Sequence, residues 1–145
     1  MTKLRFPFMA LIGQDDLSLA LILNLVNPRI GGVLIRGTKG TGKSTAVYGL
    51  PQIAPLIRVH EGCSYNCSPD EPQSWCSFCR SHQSPALMER EVEVVNLPLN
   101  ISEENLSGRI DVEKLLKTGE KLFTPGLLAK AHRQILYIDE INLIP

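Results

Sequence analysis

Aromatic side chains are scarce in this chain, at 6% with a single Trp. A platform of stacked rings for single-stranded nucleic acid therefore has little to be built from. Net charge is missing too, because fifteen basic and fifteen acidic residues cancel. A sequence pI of ≈ 6.8 agrees, and no global field favours nucleic acid. Long apolar runs are absent: Asn24, Asn27 and Pro28 break the richest stretch short of the ~20 residues that a membrane helix needs. Met1 to Arg5 carries basic residues, but Pro7 and the pair Asp15-Asp16 do not fit a signal peptide. Repeats and low-complexity tracts are also lacking. What is present, 43% apolar content over 145 residues, suits one α/β domain of ordinary size in a cytoplasmic setting, cytosol or plastid stroma.

The stretch Gly37-Thr38-Lys39-Gly40-Thr41-Gly42-Lys43-Ser44 fits G-x-x-x-x-G-K-[ST] at every fixed position. It follows the apolar run Gly32-Val33-Leu34-Ile35, expected as a strand, and opens onto Thr45-Ala46-Val47-Tyr48, expected as a first helical turn. Glycines let the backbone curl so that N–H groups face a polyphosphate, and the helix start adds its positive end. Lys43 is expected on the β- and γ-phosphates, where it acts in catalysis as well as binding, and the Ser44 hydroxyl on Mg²⁺. Gly37 through Thr45 are the expected nucleotide contacts.

A helix is expected from Asp15-Asp16, with Leu17, Ala20, Leu21 and Leu25 on one stripe, ending at Asn27-Pro28. The helix after the loop is expected to stop near Gly49, before Pro51. Strands are expected at 56–60, 92–97 and 134–138, with a short one at 121–123. Short helices are expected after Ser102, over 111–117 up to Gly119, and after Pro125-Gly126. Residues 61–90 break this alternation and read as an insertion with its own local order.

The run Ile135-Leu136-Tyr137-Ile138 ends in Asp139-Glu140. A carboxylate at a strand's carboxyl end can reach Mg²⁺ beside a phosphate loop, and a second can accept the proton of an attacking water. Asp139 is assigned to the metal and Glu140 to the base.

Within the insertion, Cys63-x₃-Cys67 and Cys76-x₂-Cys79 form two close pairs, spacings that suit four thiolates around tetrahedral Zn²⁺. An iron–sulfur cluster is the alternative ligand, and free thiols or disulfides the bland one. Disulfides are rare in the cytoplasm, and a loop without a core needs a staple. His60 and His82 flank the cluster and are not assigned as ligands.

These motifs, with Phe6-Pro7-Phe8, Asn27-Pro28-Arg29-Ile30-Gly31-Gly32, Leu97-Pro98-Leu99 and Phe123-Thr124-Pro125-Gly126-Leu127-Leu128-Ala129-Lys130-Ala131, resemble the AAA+ ATPase subunit of the magnesium chelatase family. The likeness is expected to cover the chain except residues 61–90. It implies a P-loop NTPase fold with a three-layer α/β/α core, and Leu11, Ile12 and Gly13 against the adenine. It implies ATP and Mg²⁺ as cofactors and ATP-driven insertion of Mg²⁺ into protoporphyrin IX, toward chlorophyll. The implied partners are copies of itself in a ring, a second AAA+ and integrin-fold subunit, and a large porphyrin- or corrin-binding subunit. Neither nucleic acid nor membrane is expected as a partner.

The cysteines depart from the plain chlorophyll-pathway subunit and resemble cobaltochelatase-like relatives, so cobalt insertion into a corrin is an alternative. A MoxR-like remodelling chaperone is another. AAA+ relatives continue with a sensor strand, an arginine finger and a helical lid, which are not found after Asp139. Residues 1–145 are therefore expected as the N-terminal part of an AAA+ domain, incomplete at the C-terminus, with a gap in the central sheet. That part by itself is expected to be inactive in hydrolysis.

Overall fold

A computed structural model describes residues 6–38, 40–81, 86–119 and 121–143. The chain divides into two compact units, Met1–Pro55 and Leu56–Pro145.

In the first unit, helix α1 spans Asp15–Val26, with both acidic residues in its first turn, where the helix dipole favours them. Leu21 is buried and Leu17, Ala20 and Leu25 are half-buried, whereas Leu19, Leu23 and Val26 point to solvent. Those four follow the stripe the sequence spacing predicts, but Ser18 and Asn24, expected off it, are half-buried too. Asn27 closes the helix and turns the chain, its Oδ1 accepting the Arg29 N–H at 3.2 Å. Helix α2 spans Lys43–Gly49, and its buried face of Ala46, Val47 and Gly49 continues into Leu50. Phe8 packs on this face: a Cβ on Gly49 would come within 3.1 Å of the Phe8 Cα. The Phe-Pro-Phe opening is thus anchored through Phe8, 3% exposed, while Phe6 is half open to solvent.

The expected strand before the phosphate loop does not form as a ladder, since residues 31–38 carry no regular structure. Its side chains still alternate, Val33 and Ile35 half-buried and Leu34 exposed. The pattern of a strand persists there, but a strand is defined by its hydrogen-bonded neighbour, and none of the described residues supplies one.

In the second unit, three two-stranded sheets are described. Strand β1 (Ile57–His60) pairs antiparallel with β2 (Leu87–Arg90), Ile57 opposite Arg90 and His60 opposite Leu87. The short helix α3 (Ser77–Ser81) lies between them in sequence. Strand β3 (Val94–Leu97) pairs parallel with β6 (Ile135–Ile138), a crossover that encloses α4 (Glu103–Ser107), β4 (Gly108–Ile110), α5 (Val112–Thr118), β5 (Phe123–Pro125) and α6 (Leu127–Ala131). Strands β4 and β5 form an antiparallel pair. The fifth strand thus sits two residues later than expected, at 123–125 rather than 121–123, where it can face β4.

Helices α4 and α5 are capped as their sequences suggest. Ser102 Oγ accepts the Asn105 N–H at 3.3 Å, and Asp111 Oδ1 accepts the Lys114 N–H at 3.0 Å. Gly119, at φ 73, closes α5 in the left-handed conformation. Among the described residues, Val59, Val92 and Val95 are the buried aliphatics of this unit, joined by Cys63, Cys67 and Cys79.

Candidate nucleotide site and cysteine centre

The phosphate loop takes its shape from glycine. Gly40 (φ 86) and Gly42 (φ 78) both occupy the left-handed region that residues with a Cβ resist, and Gly42 is the N-cap of α2. Lys43 then reaches back over the loop, its Nζ donating to the carbonyls of Gly37 at 2.8 Å and Thr38 at 2.5 Å. Thr41 Oγ1 lies 3.4 Å from the same ammonium and itself donates to Thr38 O at 3.1 Å. One cation therefore ties the first two residues of the motif to its helix, closing the loop around a fixed positive charge. Ser44 and Thr45 lie half-buried in the first turn of α2. Lys39 lies outside the described residues. Leu11 is half-buried and Ile12 is 94% exposed; with Gly13 (φ 72) they form the segment leading into α1.

Asp139 and Glu140 stand in the second unit, exposed, at the carboxyl end of β6. The parallel partner β3 ends beside them, with Leu97 opposite Ile138. Carboxyl ends of parallel strands are where α/β sheets hold ligands. Asp139 Oδ1 accepts the Glu140 N–H at 3.0 Å, and Glu140 adopts φ 50.

The four cysteines do converge. Their sulfurs lie within 4.8 Å of one another, and none is in a disulfide. Cys63, Cys67 and Cys79 are buried and Cys76 is half-buried. Tyr65, Trp75 and Cys76 pack around them. Backbone amides address the sulfurs: Tyr65 N–H donates to Cys63 Sγ and Cys76 N–H to Cys67 Sγ, each at 3.4 Å. Burial works against a charged Cys63, but the amides of Cys67 and Tyr65, with bonds from the Cys79 and Cys67 side chains, hold its thiol below the ordinary value. Burial pushes Cys67 up to about 11, and burial followed by the bonds to Cys63 and Cys76 pushes Cys79 up as well. Four thiolates cannot share this space uncompensated; a bound cation would reverse those shifts. His60, 3% exposed, meets Trp75 edge-on with ring centroids 4.6 Å apart and is not among the converging ligands. His82 lies outside the described residues.

Two residues of this unit were not singled out from sequence. Asn66, between the first two cysteines, and Arg133, ahead of β6, sit at φ 49 and φ 58, and Arg133 Nη1 donates to the Asn66 carbonyl. An Asn flanked by cysteines is a hint of a left-handed turn, but its partners are distant in sequence.

No family profile matches the chain. It is 46% identical over 142 residues to a magnesium-chelatase subunit ChlI homolog of Methanocaldococcus jannaschii, an alignment covering 96% of this chain and 38% of that protein. It is also 46% identical over 143 residues to the magnesium-chelatase subunit ChlI of Synechocystis, covering 96% of this chain and 40% of that one. The magnesium-chelatase 38 kDa subunit of Cereibacter sphaeroides is likewise 46% identical, covering 98% and 42%. The chain thus spans about two fifths of the length of these relatives. Among solved structures it superposes on a chain of the complex between subunits BchI and BchD of magnesium chelatase, from a cryo-EM reconstruction at 7.5 Å. That match has a TM-score of 0.80 at 44% identity and covers 99% of this chain and 44% of the other. The α/β fold is therefore that of the BchI-type AAA+ subunit. The alignments span 96% to 98% of the chain, so residues 61–90, where no likeness was expected, fall within the stretch they cover.

Proposed function

Because this chain is a homologue of the ChlI/BchI subunits of magnesium chelatase over nearly its whole length, we propose that it is the nucleotide-handling part of a chelatase motor subunit. The motor couples ATP hydrolysis to insertion of Mg²⁺ into protoporphyrin IX. The observation that carries this reading is the loop closed by Lys43 on the carbonyls of Gly37 and Thr38, within a chain aligned to those subunits.

ATP and its Mg²⁺ fit the donor set. The loop offers a fixed ammonium, glycine-shaped backbone and hydroxyls at Thr41, Ser44 and Thr45, all chemistry that matches a polyphosphate. Lys43 would neutralise the β- and γ-phosphates and Ser44 would offer its hydroxyl to Mg²⁺; at the end of β6, Asp139 is assigned to the metal and Glu140 to the proton of the attacking water. Bound Mg²⁺ supplies further charge compensation on the phosphates. Leu11, Ile12 and Gly13 form the adenine side of the site. In domain terms, residues 1–145 are the N-terminal part of an AAA+ domain, with a cysteine-rich segment at 61–90. The working assembly is a ring of copies together with a BchD-type subunit and a porphyrin-binding subunit. The relatives reported above are magnesium-chelatase subunits or a homolog named for one, and they lend no support to the cobalt alternative.

The test is reconstitution of the intact protein with the two other chelatase subunits and protoporphyrin IX, reading metalloporphyrin fluorescence. ATP-dependent Mg²⁺ insertion is expected, abolished by Lys43→Ala. ATP turnover that is indifferent to the porphyrin-loaded subunit, with no insertion, would contradict the chelatase reading and favour a remodelling ATPase.

A further inference from the structure

The cysteine loop is not used by the phosphate chemistry, yet it gathers four sulfurs, three of them buried, into one cluster. Cys63–Cys76 and Cys76–Cys79 sulfur spacings are both 3.7 Å. Four thiolates at about 2.3 Å from one tetrahedral ion lie about 3.8 Å apart. Two of the sulfur spacings thus match a single tetrahedral ion, and the whole set lies within 4.8 Å. A polynuclear iron–sulfur cluster spreads its ligands over two or more irons and needs them farther apart than a set lying within 4.8 Å allows.

The loop also reaches beyond its sulfurs, and Asn66 is the link. Its Oδ1 accepts from Arg90 Nη1 of β2 at 2.6 Å, and its Nδ2 donates to His132 O at 3.1 Å. Its carbonyl accepts from Arg133 Nη1 at 3.0 Å, and the same guanidinium donates to Arg58 O of β1 at 2.7 Å. The His132 ring completes the set on Tyr65 O. His132 and Arg133 make the turn between α6 and β6, the strand that ends at Asp139-Glu140. Asn66 is 3% exposed, so breaking these bonds strands polar groups away from water.

We propose that the four cysteines hold one tetrahedral Zn²⁺, and that this ion, through Asn66, fixes the turn at 132–134 from which the carboxylate strand starts. Zinc is thereby a positioning element for Asp139 and Glu140; that second step rests on the function proposed above, and the first does not. Cys63 and Cys67 clamp the two ends of a five-residue loop whose middle carries Tyr65 and Asn66. With the ion in place that loop has one shape, and its carbonyls and amide meet the turn. Without it, no ligand bonds hold the four sulfurs together, so the loop loses its single shape and the turn its fixed partners.

The experiment is metal analysis of the intact protein purified without chelator, followed by hydrogen exchange before and after zinc removal. About one zinc per chain with no visible absorption is expected. Removal, by chelator or by Cys76→Ser, should speed amide exchange across residues 132–138 at least about tenfold and leave α1 of the first unit unchanged. Asn66→Gly keeps the left-handed backbone and should retain zinc, yet reproduce the faster exchange and lower kcat for ATP about fivefold with KM held within about twofold. Less than about a tenth of an equivalent of zinc, or iron in its place, would overturn the metal assignment. Zinc present, with exchange at 132–138 indifferent both to its removal and to Asn66→Gly, would overturn the positioning role. Neither readout requires nucleotide, so a protein that passes both but never hydrolyses ATP would refute the motor and leave the zinc clamp standing.

Discussion

Lys43 spans six residues of backbone to reach Gly37 O, and this one side chain makes the phosphate loop a closed structure as well as a binding motif. Glu140 is a different kind of residue, exposed at the end of a strand with its backbone at φ 50. Glu140→Gln keeps size and polarity and removes only basicity. In the intact protein it should leave ATP affinity within about twofold and lower turnover about 10²- to 10⁴-fold. Single-turnover kinetics beside a binding titration separates the two effects, and near wild-type turnover would remove Glu140 from its role. These residues were legible because phosphate chemistry fixes both type and spacing. Asn66 and Arg133 were not. Their roles depend on left-handed backbone and on partners 66 and 67 residues away, which no local pattern records.

Among the elements, the capped helices were read correctly because the signals are local: Ser102 and Asp111 accept at their own first turns, and Gly119 ends the second helix. Strand β2 was hidden inside the cysteine-rich segment, and it exists because β1 supplies a ladder, a non-local cause. The stretch 32–36 shows the converse, a strand pattern with no ladder among the described residues. The antiparallel pair β4 and β5 gives a sharp test of packing. A Cβ on Gly126 would sit 2.4 Å from Leu106 O and 2.5 Å from Gly108 N, both backbone atoms that cannot rotate away. Gly126→Ala should therefore destabilise the second unit by about 1–3 kcal/mol. Thermal melting and hydrogen exchange at 106–110 and 123–127 would show it. An unchanged Tm would mean that β4 and β5 do not approach as described.

For the whole molecule, the sequence predicted one α/β chain with a phosphate loop at one end and carboxylates at the other, and the fold match supports that class. Two compact units are described, the loop in the first and the carboxylates and cysteines in the second. The central claim is that the first unit binds the phosphates of ATP through Lys43. Equilibrium titration of the intact protein with a fluorescent ATP analogue and Mg²⁺, wild type beside Lys43→Ala, tests it most directly. The account predicts saturable binding by the wild type and affinity at least about tenfold weaker in the variant, the loss of a charge-assisted contact to phosphate. Equal affinity in the two proteins would contradict it.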